Sequence, residues 1–358
     1  MKHVRFIDLF VMRPVHIFHN LASMVKHVVP YGFPESPARL IAVTEALESS
    51  GIWSLCKPQE VGQISEDVFI KQYGKEEVTR WKELVEHAKL ADDVVDDDMC
   101  GDIFWSSGSL EAIATAANAA VTATKTVLMA DGVEHAFCVL RPPGHHCFQT
   151  PSGFCTVNNV VLAAQVALDM GKRVAIIDWD YHFGNGTADT FLENSNVMFC
   201  SLHCAKDRHK QTTYPSHPLK GDLLAVKTNG RMFNIQWLKD DADDAAYAYA
   251  FDTAILPAIR LFAPDIILVS AGYDSLKGDD LAGMELTAPV FREITKALTC
   301  LNIPTVCVME GGYNTDLLAS GVLETVRGLL GGGVDGLAIL GALAQEHHKA
   351  VVDACLEK

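Results

Sequence analysis

The 358-residue sequence lacks the long apolar run that a membrane-spanning helix needs. About 18 consecutive apolar residues are required to cross a bilayer, and no run approaches that length. Near the N-terminus, Arg5, Asp8 and Arg13 interrupt the apolar residues, so we expect no secretory signal there. These absences predict a protein that does not associate with membranes.

The ten cysteines lack the regular spacing of a disulfide framework. The sequence contains no CxxC pair, and Cys138, Cys200 and Cys307 lie within strand-like apolar runs. Buried free thiols are typical of proteins in a reducing environment, so we expect an intracellular protein. A cysteine-rich structural zinc site is not expected either.

Positive charge is also scarce. The 29 Lys and Arg residues stand against 45 Asp and Glu residues, which gives a formal net charge of −16. Direct binding to nucleic acid requires a basic surface, so we predict no such contact. A negative surface of this size would instead favour basic partners.

Linkers, repeats and low-complexity segments are absent, whereas 49% of the residues are apolar, enough for a large buried core. Short β-branched runs alternate with helix-like stretches, which is the pattern of a parallel sheet covered on both faces. We therefore predict one α/β domain over residues 1–358. The predicted strands are residues 136–140, 173–177, 197–202, 266–270 and 304–309. The main predicted helices are residues 109–129, 157–170, 245–262, 288–301 and a closing helix at 336–356.

Polar clusters follow directly after the five predicted strands. They are RPPGHH at 141–146, DWDYH at 178–182, SLH at 201–203, AGYD at 271–274 and EGGYN at 310–314. Ligands of parallel α/β sheets bind at the carboxyl ends of the strands. We therefore expect the five segments to converge on one crevice.

Spacing within these segments indicates a metal site. Residues two apart in an extended segment point to the same side, so Asp178, Asp180 and His182 share a face. A carboxylate and an imidazole at this spacing, joined by Asp274 from another loop, would give the three protein ligands of a catalytic zinc site. An isolated Asp-x-His is most often a surface turn, but its place after a buried strand favours the metal.

Taken in order, these blocks resemble the signature segments of the zinc-dependent histone deacetylases. The similarity runs from Pro34 to about Leu330, and Asn185 and Leu281 bring it closer to class II. The resemblance implies a central parallel sheet flanked by helices, the arginase/deacetylase fold. It also implies hydrolysis of N-ε-acetyl-lysine in histones or other proteins, a nuclear or cytoplasmic location, and partners of the corepressor type.

The resemblance also assigns roles to individual residues. The zinc ligands match Asp180, His182 and Asp274. The tandem histidines, their two partners and the tyrosine that donates to the substrate carbonyl match His145, His146, Asp178, Asn185 and Tyr313. The walls and rim of the acetyl-lysine tunnel match Asp102, Gly153, Phe154, Tyr214 and Leu281. One structural potassium site matches Asp178, Asp180, His182, Ser201 and Leu202, and a second, more distant one matches Phe191, Asn194, Val197 and Phe233.

Three positions depart from the family pattern. Phe33 stands where the family often has His, and we expect it to be remote from the chemistry. Phe183 replaces a second His but is not an assigned ligand. The segment 204–215 differs from the usual Gly- and Phe-rich loop, and its Tyr214 replaces a tunnel Phe. The substrate preference therefore stays open.

Three alternatives to a protein deacetylase also stay open. Deacetylation of an acetylpolyamine goes with an acidic gatekeeper, where this chain has Leu281. An arginase-type ureohydrolase with two manganese ions needs a second carboxylate, where this chain has Gly184; we therefore expect one metal ion at this site. A scaffold that has lost catalysis is disfavoured because Tyr313 and the other assigned residues are present.

Overall fold

The structure is a computed structural model that describes residues 15–205, 213–215, 231–331 and 337–356. Every site residue predicted from the sequence lies within these ranges. Most of the atypical segment 204–215 and the first residue of the predicted closing helix lie outside them. Among the helices that the structure describes, none has both the length and the apolar character needed to cross a bilayer.

Eight strands in these ranges form one sheet in which every neighbouring pair is parallel. They are β1 (Val15–His19), β2 (Lys57–Glu60), β5 (His135–Cys138), β6 (Val174–Asp178), β7 (Val197–Cys204), β8 (Met232–Trp237), β9 (Ile266–Ala271) and β10 (Thr305–Met309). A separate antiparallel pair consists of β3 (Val95–Asp96) and β4 (Phe104–Trp105). The order in the large sheet is β2-β1-β5-β10-β9-β6-β7-β8. The predicted parallel sheet is confirmed.

The five strands predicted from the sequence are five consecutive strands of this sheet, from β5 to β7. Every residue of these five strands is buried, so helices and loops cover both faces. Their carboxyl ends therefore lie side by side along one edge of the sheet. This arrangement brings the polar segments that follow them to a common place.

Helices connect the strands and surround the sheet. They are α1 (Leu21–Met24), α2 (Pro37–Ser49), α3 (Glu66–Tyr73), α4 (Lys75–Ala91), α5 (Ser109–Met129), α6 (Asn159–Asp169), α7 (Asn185–Phe191), α8 (Asp244–Ala250), α9 (Leu256–Phe262), α10 (Ala288–Thr299), α11 (Thr315–Leu329), α12 (Leu337–Gly341) and α13 (Glu346–Leu356), with a 3₁₀ turn at Ile52–Leu55. The predicted helix 245–262 is interrupted by a π-helical turn at Phe251–Ile255. Pro257, which lacks an N–H donor, follows that turn. The predicted closing helix is two helices, α12 and α13.

A buried ion network links the loop after β5 to the loop after β10. The guanidinium of Arg141 donates to both carboxylate oxygens of Glu35, at 3.0 and 2.8 Å. Arg39 donates to Glu35 at 3.1 Å and to the carbonyl of Gly312 at 2.7 Å. Burial raises the pKa of Glu35, but the positive charges of Arg141 and Arg39 outweigh burial and lower the pKa to about 2. The Arg of the RPPGHH segment is thus a structural residue.

Beside this network, His27 is expected to make the stability depend on pH. It is buried, with Nδ1 2.8 Å from Ser109 Oγ. Burial, and then the charge of Arg141, lowers its pKa from 6.5 to about 3. A depressed histidine pKa contributes stability that is present above pH 6.5. That stability is lost as the pH falls toward 3, because the unfolded chain takes up the proton first.

Between pH 7 and pH 5 this residue should cost about 2 kcal/mol of unfolding free energy, at about 1.4 kcal/mol per pH unit below 6.5. Glu35 stays ionised over this range, so it does not contribute. Denaturant unfolding at the two pH values, for the wild type and for His27→Gln, measures the effect. The variant should show a smaller loss, and equal losses in both proteins would contradict the assignment.

Candidate active site

The carboxyl ends of β6 and β9 bring together Asp180, His182 and Asp274, with one ligand atom from each within 4.8 Å of the others. The Nδ1 atom of His182 lies 3.2 Å from Asp180 Oδ1 and 2.9 Å from Asp274 Oδ2. Both carboxylates are fully buried. The two segments, 92 residues apart in sequence, meet because β6 and β9 are neighbours.

The electrostatics of this cluster fit a divalent cation. Burial, and then the charge of Asp180, raises the pKa of Asp274 to about 6. Burial lowers the pKa of His182, but the two carboxylates raise it more, to about 9. Two buried carboxylates repel each other unless a positive charge lies between them. One imidazole and two carboxylate ligands match the donors of a catalytic zinc site.

Two glycines allow the backbone to approach these acidic groups closely. A Cβ at Gly311 would lie 2.5 Å from Asp274 Oδ2, and the Gly311 N–H donates to Asp180 Oδ2 at 2.9 Å. A Cβ at Gly184 would lie only 2.1 Å from Asp178 Oδ2. Residue 184 therefore has no room for the second carboxylate of a two-metal ureohydrolase.

The tandem histidines differ in their partners. Nδ1 of His145 lies 3.0 Å from Asp178 Oδ2, whereas Nδ1 of His146 lies 2.7 Å from the amide oxygen of Asn185. Burial lowers the pKa of His145, but Asp180 and Asp178 raise it more, to well above its usual value. Burial, and then the charge of His145, holds the pKa of His146 well below its usual value. The pKa values of the two neighbouring imidazoles are thus shifted in opposite directions.

A pocket of about 370 Å³ leads to these residues. All five residues predicted for the tunnel and its rim line it, together with two that the sequence did not single out, Tyr181 and Thr213. The full lining is Asp102, His146, Gly153, Phe154, Tyr181, His182, Thr213, Tyr214, Leu281 and Tyr313.

One wall of the pocket has an unusual backbone. Gly153 and Phe154 have φ angles of +56° and +66°. A Cβ at Gly153 would lie 2.6 Å from both His146 Cδ2 and Tyr214 Cε1, so only glycine fits there. The Tyr214 hydroxyl hydrogen-bonds with Ser152, the residue before that glycine. The polar tip of Tyr214 therefore has a partner within the wall.

Phe33 lies nearer to the site than the sequence suggested. Its ring packs edge-on against Phe154 at a centroid distance of 4.9 Å and against Phe104 at 4.7 Å. Phe154 in turn packs edge-on against Tyr313 at 5.7 Å. The expectation that Phe33 is remote from the chemistry was wrong, because its aromatic ring supports the tunnel wall. Phe183 instead packs on Phe199 and His203, within the core.

Asp279 positions two lining residues, although it was not among the residues selected from the sequence. Its Oδ2 accepts hydrogen bonds from the backbone N–H of Tyr313 at 2.7 Å and of Asn314 at 3.1 Å. Its Oδ1 accepts from Leu281 at 3.0 Å and from Ala282 at 3.1 Å. This carboxylate therefore links the GDDLAG loop to the EGGYN loop. The signal was an acidic residue directly after a glycine at the start of a loop.

Glu310 is a second positioning residue that the sequence did not reveal. It is fully buried, and its Oε2 accepts from the backbone N–H of Gly144 at 2.6 Å and of His145 at 3.3 Å. Burial, partly opposed by the charge of His145, raises its pKa to about 7. Glu310 thus holds the histidine loop against the end of β10.

The two predicted potassium sites differ in how well they fit. Asp178 and Ser201 are paired in register on β6 and β7, so the first group lies close together. In the second group, the guanidinium of Arg231 donates to the carbonyl oxygens of Asn194 and Val197, the latter at 3.2 Å. This guanidinium already donates to the two carbonyl oxygens, and its charge would oppose another cation beside it. The second potassium site therefore stays a prediction, with less support than the first.

Comparisons with known proteins agree with this geometry. A model of the histone deacetylase domain matches residues 33–329. The chain is 31% identical to histone deacetylase clr3 of Schizosaccharomyces pombe, over 83% of this chain and 45% of that protein. It is 32% identical to the protein slr0245 of Synechocystis, over 86% of this chain and 97% of that protein. It is 31% identical to polyamine deacetylase HDAC10 of Danio rerio, over 83% of this chain and 44% of that protein.

The chain thus spans less than half the length of clr3 and HDAC10 but nearly the whole of slr0245. Among solved structures, the crystal structure of the HDA15 HD domain superposes with a TM-score of 0.83. That likeness covers 97% of this chain and 94% of the other, at 25% identity.

Proposed function

This chain belongs to the histone deacetylase family, and we propose that it is a zinc-dependent hydrolase that removes acetyl groups from N-ε-acetyl-lysine in proteins. The resemblance inferred from the five polar segments is confirmed. The observation that carries the finer proposal is the pocket itself. It joins an open rim to His182, His146 and Tyr313, and so suits a long side chain that ends in an acyl group.

Different residues of the site would activate the water and transfer its proton. A zinc ion held by Asp180, His182 and Asp274 would supply Lewis-acid activation of the water and of the amide carbonyl. Neutral His146 accepts the proton of the attacking water and passes it to the departing amine. Asn185 holds that ring without adding a charge that would fix it as imidazolium.

The remaining residues act on charge and orientation. His145, paired with Asp178, stays protonated and contributes positive charge beside the reacting atoms. The Tyr313 hydroxyl donates a hydrogen bond to the substrate carbonyl oxygen, where negative charge develops. The edge-on contact with Phe154 holds the Tyr313 ring in place.

Two features of the rim support a protein substrate. Asp102 lines the pocket, and we propose that it lies at the mouth, where its carboxylate would accept a hydrogen bond from a peptide N–H. Leu281, half exposed at the same mouth, offers no charge to a second ammonium group. Acetylated histone tails are the basic candidates that suit an acidic protein of charge −16. We further propose that residues 1–358 form one domain, acting in the nucleus or cytoplasm with corepressor-type partners, and that the first potassium site is structural.

Because one relative is a polyamine deacetylase, the assay must separate the two substrate classes. Acetylated histone and tubulin peptides would be compared with acetylspermidine by kcat/KM, with and without a zinc-binding hydroxamate. We expect turnover of the peptides that the hydroxamate blocks. A preference for acetylspermidine would overturn the protein-substrate proposal, and no turnover of either class would favour a scaffold.

A single substitution at the rim should shift this balance. Leu281→Glu places a carboxylate where a second ammonium group would lie, while Leu281→Gln has nearly the same shape without the charge. An exposed ion pair contributes up to about 1 kcal/mol, so the ratio of acetylspermidine to peptide kcat/KM should rise about fivefold in the Glu variant relative to the Gln variant. Equal ratios in the two variants would show that residue 281 does not select substrates by charge.

A further inference from the structure

A second group of metal-ligating side chains lies outside the candidate active site, where the loop after β8 meets helix α13. Nε2 of His348 lies 3.3 Å from Asp241 Oδ1, and Nε2 of His347 lies 3.4 Å from Asp241 Oδ2. One ligand atom from each residue lies within 4.8 Å of the others. We propose that these three residues bind a divalent transition-metal ion such as Zn²⁺. The proposal is independent of the proposed function.

The separations match what such an ion requires. With metal–ligand bonds of about 2.0–2.1 Å, neighbouring ligand atoms of a tetrahedral site lie about 3.3 Å apart. Two imidazoles and one carboxylate are a donor set that zinc and its neighbours in the transition series prefer over Ca²⁺ or Mg²⁺. His347 is half exposed and Asp241 partly so, which gives the ion access and leaves a position for water.

The side chains of this site are held in place before a metal ion binds. His348 is only 3% exposed in its side chain, and its ring packs edge-on against Trp237 at 5.7 Å. Among the residues that the structure describes, its Nδ1 atom has no hydrogen-bond partner. The bond from Nε2 to Asp241 is therefore the hydrogen bond that orients this buried ring, and a bound metal ion would orient it further. The rings of His347 and His348 lie 4.0 Å apart, so both imidazoles reach the same carboxylate.

Lys239 opposes a cation here. Its Nζ lies 4.0 Å from Asp241 Oδ2, but the side chain is 72% exposed. An exposed ion pair of this kind contributes little, so the lysine can turn toward solvent at small cost. The neighbouring carboxylates of Asp240 and Asp243 add negative charge to the same loop.

The position of the site suggests what the metal would do. Helix α13 lies against β8, the edge strand of the sheet, and Cys355 Sγ donates to the carbonyl of Asn234 at 3.1 Å. Another contact joins the Tyr249 hydroxyl to Asp353 at 3.0 Å. A metal bound by residues of α13 and of the loop after β8 would clamp this helix onto the sheet. Zinc binding should therefore raise the melting temperature.

The test uses tag-free protein that already carries one equivalent of zinc. The wild type, His347→Gln and the control His87→Gln, an exposed histidine of α4, are titrated with ZnCl₂ by calorimetry and by thermal unfolding. We expect a second equivalent and a rise in melting temperature for the wild type and for His87→Gln. The zinc affinity of His347→Gln should fall by at least 10- to 100-fold. That loss is typical when a residue that only hydrogen-bonds to a metal ligand is removed, and His347 is itself a proposed ligand.

Binding of a fluorescent hydroxamate, measured on the same samples, separates this proposal from the proposed function. We expect equal hydroxamate binding in all three proteins, since His347 lies outside the candidate active site. A second equivalent that binds equally well to His347→Gln, or that is absent from the wild type, would overturn the proposal. Loss of hydroxamate binding with a normal second equivalent would count against the proposed function alone.

Discussion

Asp274→Asn is expected to lower the rate of deacetylation by more than 10- to 100-fold. A loss of 10- to 100-fold is typical when a residue that only hydrogen-bonds to a zinc ligand is removed, and Asp274 is itself a proposed ligand. The substitution removes one of three proposed ligands, and its carboxylate charge, with almost no change in shape. The Asn oxygen can still accept the Tyr181 N–H that Asp274 Oδ1 accepts at 2.9 Å. The local fold should therefore persist. Turnover of an acetyl-lysine peptide and hydroxamate affinity measure the effect.

The matched control is Asp131→Asn, which removes an exposed aspartate from a loop. It should behave as the wild type in turnover, hydroxamate binding and melting temperature. An Asp274→Asn protein that kept its hydroxamate affinity and its turnover within tenfold would show that Asp274 is not a ligand. A protein that bound hydroxamate normally but turned over slowly would instead point to a role in substrate positioning.

Tyr313→Phe is expected to lower kcat by about 100-fold or more while leaving the metal in place. Loss of one donor to a developing oxyanion commonly costs about 10²–10³ in kcat. The phenyl ring keeps the edge-on contact with Phe154 and remains 5.2 Å from the Arg39 guanidinium, so the pocket should keep its shape. The effect should appear in kcat rather than in KM, because the hydrogen bond strengthens as charge develops.

Tyr31→Phe provides the control, since Tyr31 is fully exposed and should tolerate the loss of its hydroxyl. Zinc content and hydroxamate affinity should match in the wild type and both variants. If Tyr313→Phe kept kcat within threefold of the wild type, the hydroxyl would have no part in catalysis. The deacetylase proposal would then rest on the metal site alone.

The central sheet was predictable because its strands carry an uninterrupted apolar signal. β6, β9 and β10 are buried on both faces, so almost every residue in them is apolar. The three missed strands lack that signal. His16 and His19 interrupt β1, β2 reads KPQE, and β8 is half-buried in places. Their place in the sheet depends on tertiary packing, which local sequence does not encode.

The candidate ligands were recognisable because their spacing is local, whereas the supporting residues act over long distances. Asp180 and His182 are two residues apart on an extended segment. Asp279 and Glu310 act through backbone N–H groups 34 and 166 residues away, which leave no trace in the side-chain pattern. The acidic segment 92–98 shows the same limit. A run of acidic residues usually lies on a solvated surface, but Asp97 is buried and accepts from Arg80 at 2.8 Å.

The hydrogen bonds to the two carboxylate oxygens of Asp279 limit which sequence changes could alter the proposed substrate preference. One oxygen holds the backbone of the proposed gate at Leu281, and the other holds the backbone of Tyr313. Side chains at position 281 can vary without loosening that arrangement, because only the main-chain N–H is used. A proline there would remove the Leu281 donor, and with it one of the bonds that orient the carboxylate toward Tyr313. Under the proposed roles of Leu281 and Tyr313, selectivity can therefore change by point substitution, while changes in the backbone of this loop would carry a catalytic penalty.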